Sequence, residues 1–263
     1  MQQITSKENS VIKHIIKLKE KKYRTEYNEF IIEGAKIVKE AIEEKANIKN
    51  IVFSEDAINS ELVENQLKDV LKEQNYIIVS NNIFKLLSDV EKPQGVLAVI
   101  EKEINKEKID YSQDVILILD NIQDPGNLGT IIRTADSAGL KQIIVSKGTA
   151  DCYNSKVLRS TMGAIFRVKI IEADNLVKSI EEIKNNSFKV VTTSLQTNKS
   201  IYDIQLKNVA IVIGNEANGV SKEIMELSDI KAIIPMKGKT ESLNVAVATG
   251  VILYEYVRQS LKK

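Results

Sequence analysis

The sequence predicts an α/β protein built from two domains, on three observations. Apolar segments of strand length alternate with segments that repeat apolar residues at the helical period, which favours parallel strands connected by helices. The 263 residues are enough for about two domains at roughly 100–200 residues each. The charged segment 101–114 lacks apolar periodicity, which predicts a linker between a domain over 1–100 and a domain over 115–263.

The predicted N-terminal domain begins with an unusually basic segment. Residues 1–24 carry seven cationic side chains and two carboxylates, a local net charge of +5 in a chain whose net charge is +1. Val11, Ile12, Ile15, Ile16 and Leu18 recur near the helical period, so the segment is interpreted as an amphipathic basic helix. Its charge is consistent with a solvated surface or with a contact to nucleic-acid phosphates, and the composition does not separate the two. The strands predicted after it are Phe30–Ile32, Ile48–Phe53, Tyr76–Val79 and Val96–Ile100, and the helices are Ala35–Glu44, Glu61–Gln74 and Asn82–Leu87.

The predicted C-terminal domain repeats the alternation and ends in an apolar helix. Its predicted strands are Val115–Leu119, Gln142–Val145, Lys189–Thr193, Val209–Ile213 and Lys231–Ile234. Its predicted helices are Leu128–Ala138, Ser155–Met162, Asn175–Lys184, Ser221–Leu227 and Asn244–Gln259. Between Asn244 and Val257 the only charge is Glu255, so the last helix must be buried on all sides, within the domain or against a partner subunit. A symmetric dimer would provide that burial.

The composition narrows the classes of function. One Cys and one His exclude a disulfide framework and a zinc site of Cys and His. The apolar runs are far shorter than the ~20 residues that span a bilayer and the N-terminus is polar, so we expect a cytoplasmic protein with no membrane contact. The dinucleotide fingerprint G-x-G-x-x-G and the phosphate loop ending in G-K-[ST] are both missing. Asp120, Asp124 and Asp136 fit no metal-ligand spacing, and no metal site is predicted.

Three glycine-containing loops follow predicted strands, where open α/β sheets bind ligands. They are DNIQDPGNLGTIIRTADSAG (120–139), IVIGNEANGVS (211–221) and IPMKGKTESLNVAVATG (234–250). In the first loop Asn127 can cap a helix, and Arg133 either reaches an anion or is an ordinary exposed arginine. Glu216 can accept hydrogen bonds from a ribose or hold its own loop, and Ser242 can be a plain helix cap.

Taken in order, these three loops resemble the signature motifs of the SpoU (TrmH-type) RNA ribose 2′-O-methyltransferases of the SPOUT class. The resemblance covers about 115–260. It implies a C-terminal SPOUT domain with a parallel sheet and a deep trefoil knot, a rare exception to unknotted chains. It also implies S-adenosylmethionine as cofactor and a homodimer formed through the knotted region. The N-terminal part is similar to the small substrate-binding domain, related to an α/β ribosomal-protein module, that many members carry.

Site residues follow from the same resemblance, position by position. The catalytic and RNA-positioning group would be Arg133, Asn121, Glu216, Ser242 and Asn244. The cofactor-binding residues would be Thr193, Ser194, Leu195, Gly214, Asn215, Glu216, Gly219, Ile234, Met236, Ser242, Leu243 and Asn244. The RNA-binding cations would be Lys13, Lys17, Lys21, Lys22, Arg24, Arg133 and Arg159.

The implied reaction moves a methyl group from S-adenosylmethionine to a ribose 2′-hydroxyl of structured RNA. The sulfonium methyl is already activated, so no metal is needed. A guanidinium stays protonated at ordinary pH, so Arg133 is interpreted as an organiser of substrate phosphate and developing alkoxide, with the proton acceptor left open.

Large-subunit ribosomal RNA is the favoured substrate, because a separate N-terminal module of this kind is commoner among enzymes of that RNA. A tRNA methyltransferase, a ribosome-directed drug-resistance methyltransferase and a non-catalytic RNA-binding protein of the same fold are the alternatives.

Overall fold

In a computed structural model of the chain, residues 2–69, 71, 74–102 and 108–261 are described. They form two compact units. The first contains the described residues up to Lys102 together with Tyr153–Phe166, and the second contains 108–152 and 167–261. The units are defined by spatial contact, so the first includes a segment from inside the range 115–263, whereas the predicted domains are continuous in sequence.

The first unit is a mixed sheet covered by helices. Its strands are β1 (Gln2–Ile4), β2 (Glu29–Glu33), β3 (Ile48–Ser54), β4 (Tyr76–Val79) and β5 (Val96–Glu101). Its helices are α1 (Ser10–Lys17), α2 (Lys21–Glu26), α3 (Ala35–Glu43), α4 (Glu61–Leu67), α5 (Asn81–Leu87) and α7 (Ser155–Thr161). The strand order is β1-β4-β3-β5-β2. Parallel pairing is wrong for β5, which is antiparallel to both of its neighbours, because alternation along a sequence does not specify the direction in which a strand inserts.

The basic N-terminal segment is not one helix. It contains β1, which the sequence analysis missed, and then α1 and α2, which are separated by a turn. Asn9 caps α1 by accepting a hydrogen bond from the Val11 N–H (2.9 Å). The guanidinium of Arg24 donates to the carbonyls of Leu18 (2.8 Å) and Lys19 (2.6 Å), which gives these carbonyls partners other than helical N–H groups.

Two other predicted segments run into residues that are not described. The predicted helix Glu61–Gln74 is helical over Glu61–Leu67, and residues 70, 72 and 73 lie outside the described residues. The predicted linker 101–114 contains 103–107, which also lie outside them. Its remaining C-terminal part is fixed to the second unit: the Asp110 N–H donates to Gln142 Oε1 (2.9 Å), and the Tyr111 ring packs against Phe188.

The second unit is a parallel sheet with helices packed on it, as the sequence predicts. Its strands are β6 (Val115–Asp120), β7 (Gln142–Val145), β8 (Lys169–Glu172), β9 (Lys189–Thr193), β10 (Val209–Gly214) and β11 (Ile230–Ala232). Its helices are α6 (Pro125–Ser137), α8 (Leu176–Asn185), α9 (Lys222–Glu226) and α10 (Val245–Ser260). The order is β11-β9-β10-β6-β7-β8, and every pairing is parallel. β8 is not among the strands predicted from the sequence.

The two central strands position the functional site. β6 and β10 are buried along their whole length and pair in register from Val209 opposite Val115 to Gly214 opposite Asp120. From β6 the chain passes through α6 to β7 on one side, while β9 lies on the other side of β10. This reversal of strand order is a topological switch point, and the carboxyl ends of the two strands border the crevice where such sheets bind ligands.

The last helix is buried on only part of its surface. Ile252 and Leu253 are buried, but Val247 is 53% exposed and Tyr254 is 52% exposed. The prediction of burial on all sides within the domain is therefore wrong for these two residues. None of the helices formed by the described residues is long and apolar enough to cross a bilayer.

Candidate functional site

An open cleft of about 1150 Å³ lies in the second unit, where β9, β10 and β11 end. The twelve residues predicted to bind the cofactor all line it: Thr193, Ser194, Leu195, Gly214, Asn215, Glu216, Gly219, Ile234, Met236, Ser242, Leu243 and Asn244. Asn121 and Arg133 do not. The structure thus brings the second and third motifs together around one cleft, and the first motif lies beside it.

The second motif forms a closed loop on the floor of the cleft. Asn215 and Gly219 exchange backbone hydrogen bonds of 2.9 Å in both directions, and Asn215 Oδ1 accepts from the N–H groups of Ala217 and Asn218. Gly219 has a φ of +70°, a conformation that favours glycine. A Cβ on Gly214 would overlap the backbone of Gly219 and Val220, so this position accepts no side chain.

Several hydrogen bonds fasten this loop to the first motif, and two of them reach Asp120 and Asn121 at its start. The buried Asp120 carboxylate accepts from the Ser221 N–H (2.8 Å), and Asn215 Nδ2 donates to the Asn121 carbonyl (2.9 Å). Asn121 itself has a φ of +62° and donates its N–H to Ser146 Oγ (2.8 Å). Its half-buried position is thereby fixed from both sides.

Glu216 holds the N-terminus of α6. Its carboxylate accepts from the N–H groups of Gln123 and Asp124, each at 3.2 Å, and from Asn127 Nδ2 at 3.1 Å. Partial burial by itself would raise the pKa of Glu216, but hydrogen bonds from the Asn127 side chain and from backbone N–H groups outweigh it, so its pKa is lowered. The partial positive charge at a helix N-terminus favours the same ionised state.

Asn127 connects all three motifs, although it is not among the site residues predicted from the sequence. While its Nδ2 donates to Glu216, its Oδ1 accepts from Asn244 Nδ2 (3.0 Å). Asn127 is not the cap of α6; Asp124 is, accepting from the Asn127 N–H (2.7 Å). No local pattern signals this bridge, because both of its partners lie far away in the sequence.

In the third motif, Asn244 is the cap of the last helix and Ser242 is not. Asn244 caps α10, its Oδ1 accepting from the N–H groups of Ala246 (2.9 Å) and Val247 (3.3 Å). Ser242 is exposed and makes no hydrogen bond with any described residue, so the helix-cap alternative for it is wrong. Its hydroxyl is available to a ligand in the cleft.

Arg133 lies on the exposed side of α6, six residues beyond Asn127 and so about 9 Å further along the helix axis. With the residues that the structure describes it forms neither a hydrogen bond nor an ion pair. Helical side chains lean toward the N-terminus of their helix, which directs Arg133 back toward the start of the first motif.

The predicted RNA-binding cations of the first unit differ in availability. Arg24 is only 5% exposed and its guanidinium is bound to backbone carbonyls, so its placement does not suit a phosphate contact. Lys13 is exposed and paired with Glu8 (2.6 Å). Arg159 on α7 is exposed, and so are Lys17, Lys21 and Lys22; none of these four forms an ion pair with a described residue.

Comparison with known proteins identifies the two parts of the chain separately. Residues 114–254 match the SpoU rRNA Methylase family, and residues 9–98 match the MRM3-like substrate binding domain. The Bacillus subtilis protein named 23S rRNA (guanosine(2553)-2′-O)-methyltransferase RlmP is 37% identical over 97% of this chain and 98% of its own length.

Solved structures with similar folds include two with the cofactor AdoMet, S-adenosylmethionine. The AdoMet-bound rRNA methyltransferase of Sinorhizobium meliloti is 31% identical with a TM-score of 0.82, covering 98% of this chain and 97% of that one. The SpoU methyltransferase AviRb of Streptomyces viridochromogenes in complex with AdoMet is 26% identical with a TM-score of 0.86, covering 96% and 98%. The chain belongs to the SpoU rRNA methylase family.

Proposed function

We propose that this protein transfers the methyl group of S-adenosylmethionine to a ribose 2′-hydroxyl of large-subunit ribosomal RNA. Ribosomal RNA is supported by the name of the B. subtilis relative, which matches this chain over nearly its whole length. The cofactor is supported by the AdoMet-bound structures.

The observation that carries the proposal is the hydrogen-bonded bridge through Asn127. It joins Glu216 of the second motif to Asn244 of the third, at the N-terminus of the helix that bears Arg133. Three loops separated by many residues thus present their polar side chains at one edge of the cleft. Cofactor binding separates this enzyme from a non-catalytic RNA-binding protein of the same fold, which need not take up S-adenosylmethionine.

The cleft fits S-adenosylmethionine. Its walls combine apolar side chains, such as Ile234, Leu243 and Ile252, with the backbone of the second-motif loop, which closes against Gly214 where a side chain would otherwise lie. Apolar walls with a few fixed polar groups suit an adenosine. We assign the twelve lining residues named above to this cofactor.

The bound cofactor supplies an electrophilic methyl group on a sulfonium. The chain contributes position and charge. Glu216, kept ionised by its hydrogen bonds, fixes the start of α6, and Asn127 transmits that position to Asn244. Arg133 offers a cation to the substrate phosphate and to the alkoxide that develops on the ribose, while Asn121 and Asn244 orient the ribose and Ser242 presents its exposed hydroxyl to the cleft.

Further parts of the proposal concern the assembly. We propose that residues 1–100 are an RNA-binding domain, that 101–114 are a linker, and that 115–263 are the catalytic domain. We also propose a deep trefoil knot in the catalytic domain, supported by the path of 233–244, which returns from the edge strand β11 to place Asn244 beside Asn127.

The exposed apolar residues of α10 support a homodimer. The proposed location is the cytoplasm, where ribosomal RNA is found.

The experiment is methyl transfer from labelled S-adenosylmethionine to ribosomal RNA and to bulk tRNA, both from a strain lacking this gene. We expect label in large-subunit ribosomal RNA alone, at a position where a backbone bond resists alkaline cleavage. The counterpart of guanosine 2553 is the first position to inspect, because the B. subtilis relative is named for it.

The matched control is Asn127→Asp, which preserves shape but places a second carboxylate beside Glu216 and should lose transfer. Label in tRNA alone would overturn the proposal that ribosomal RNA is the substrate. The absence of label together with the absence of cofactor binding would overturn the proposal that the protein is an enzyme.

A further inference from the structure

The cations of the N-terminal basic segment fall into two groups. Lys13 is paired with Glu8, and Lys19 donates to the Ser88 carbonyl (2.8 Å) and is paired with Asp89 (3.3 Å). Arg24 is buried on backbone carbonyls. In contrast, Lys17, Lys21 and Lys22 are exposed, and their ammonium groups form no ion pair or hydrogen bond with the described residues. Lys7, near the start of the segment, is exposed and also lacks an ion pair with the described residues. The other uncompensated cations are the three lysines around the turn between α1 and α2.

A tyrosine lies among these lysines. The ammonium of Lys17, on α1, is 5.4 Å from the centre of the Tyr23 ring, and that of Lys22, on α2, is 5.5 Å from it. Tyr23 is half-buried and stacks on Tyr27 with 6.0 Å between ring centres and 13° between ring planes. Tyr27 in turn packs against His14 at 4.7 Å. The Tyr23 ring thus stacks on Tyr27, and the ammonium groups of two flexible lysine side chains, which a base can displace toward its phosphates, lie over the ring.

We propose that Tyr23, with Lys17, Lys21 and Lys22, is a platform on which an unpaired base of the RNA substrate stacks while the lysines bind the adjoining phosphates. This deepens the proposed function and rests on it, because it specifies what part of the RNA the N-terminal unit binds. Basic side chains interleaved with an aromatic ring are the arrangement that binds single-stranded nucleic acid. A base inside a duplex stacks on its neighbours and is not free to stack on a tyrosine, so the RNA segment at this platform is a loop or another unpaired region.

The two kinds of side chain make separable contributions. Lysines that bind phosphates release counterions, so each contributes to the salt dependence of binding, whereas stacking on Tyr23 contributes affinity without releasing ions. A tyrosine that only stabilised the turn would affect folding but would not distinguish single-stranded RNA from duplex.

The test measures binding of the full-length protein to a fluorescent single-stranded RNA of about 12 nucleotides without self-complementarity, and to the corresponding duplex, over a series of salt concentrations. We expect Tyr23→Leu to weaken single-strand binding by about 5- to 150-fold, the range for loss of one base–aromatic stack, with an unchanged salt slope. Tyr23→Phe, the matched control, keeps the ring and should bind like the wild type. Lys17→Gln and Lys22→Gln should each lower the salt slope by about 1. Lys68→Gln, which removes an exposed lysine paired with Glu64 on α4, is the charge control and should leave the slope unchanged.

Three results would overturn the platform: wild-type affinity in Tyr23→Leu, equal losses in Tyr23→Leu and Tyr23→Phe, or equal losses for single strand and duplex. Thermal unfolding of each variant identifies any loss of RNA affinity that comes from misfolding. If Tyr23→Leu misfolds, the comparison is made between Tyr23→Phe and the wild type. Methyl transfer by the wild type is measured separately, so the proposed reaction can fail while the platform stands, and the platform can fail while the reaction stands.

Discussion

The side-chain amide of Asn127 uses both of its polar atoms, one as donor to Glu216 and one as acceptor from Asn244. An amide that bridges two loops in this way sets their separation to within the length of a hydrogen bond. The polar edge of the cleft therefore behaves as a unit, and a change at one of these residues alters the position of the others.

The ionised state of Glu216 gives a pH-dependent prediction. Because its pKa is lowered in the folded protein, the stability that it contributes is fully present above its ordinary value of 4.5 and is lost as the pH falls through the lowered value. In urea unfolding we expect the wild type to be more stable than Glu216→Gln at pH 7, by a margin that shrinks below pH 4.5.

Glu241→Gln is the control for that experiment. Its carboxylate lines the same cleft but forms no hydrogen bond with the described residues, so this substitution removes a carboxylate without removing a contact to α6. A difference in stability between the wild type and Glu216→Gln that is the same at every pH would contradict the prediction.

Arg133 is predicted to act on the substrate and not on the fold. Lys keeps the charge but cannot reproduce the bidentate fork of a guanidinium, so Arg133→Lys should lower the rate of methyl transfer by about 10- to 100-fold. Cofactor affinity and the free energy of unfolding should be unchanged, because Arg133 is exposed and does not line the cleft. Single-turnover assays measure the rate of methyl transfer, and calorimetry measures the affinity for S-adenosylmethionine. Near-normal transfer would refute the bidentate role.

At the scale of elements, the second-motif loop depends on direct backbone contact at Gly214. A Cβ there would overlap the backbone of Gly219 and Val220, which cannot move aside as a flexible side chain would. Gly214→Ala should weaken S-adenosylmethionine binding by about 5- to 150-fold, in line with the roughly 1–3 kcal/mol that overpacking costs. Gly238→Ala is the matched control in the third-motif loop, where a Cβ meets nothing within 4 Å, and it should bind normally. Equal affinities for the two variants would contradict the prediction.

The turn between α1 and α2 depends on Arg24. Replacing it by Leu removes the two hydrogen bonds to the Leu18 and Lys19 carbonyls and should lower the free energy of unfolding by about 2–4 kcal/mol. Lys21→Leu, on the same helix but exposed, should leave stability unchanged and weaken RNA binding. Urea denaturation and RNA titration of both variants would show the contrast, and equal stability would refute the structural role of Arg24.

Most elements could be predicted from the sequence, and the exceptions have physical causes. β8 (Lys169–Glu172) was missed because two isoleucines between charged residues are too short a signal for an edge strand. The break after Lys17 was missed because it depends on Arg24, whose burial no local pattern of charge reveals.

The candidate site could be predicted where its residues belong to motifs, and not where they act through tertiary contact. All twelve residues assigned to the cofactor line one cleft, because ordered strand-to-loop motifs place their loops at the same edge of a parallel sheet. Asn127 was assigned only a local capping role, since its bridge joins residues about ninety to one hundred and twenty positions away in the sequence.

At the scale of the whole molecule, the exposed face of α10 gives a prediction about assembly. Val247 and Tyr254 lie two turns apart on this helix, and both are more than half exposed. Tyr254→Asp would place a charge in the proposed dimer interface, so light scattering should show the wild type at twice the 29.5 kDa of one chain and the variant at one. Tyr202→Asp changes an equally exposed tyrosine outside α10 and should remain dimeric. A monomeric wild type would refute the homodimer.

The first unit is formed by two separate segments of the chain, and this has a consequence for how the protein folds during synthesis. Tyr153–Phe166 belongs to that unit, where the Tyr153 ring packs against Phe30 at 4.8 Å and lies under the ammonium of Lys102 at 4.2 Å. A ribosome delivers the chain from its N-terminus, and domains generally fold as they emerge. This unit is an exception, because its last piece leaves the ribosome only after β6, α6 and β7 have been synthesised. A nascent chain halted at residue 102 should therefore resist protease less well than one halted shortly after residue 166 has emerged.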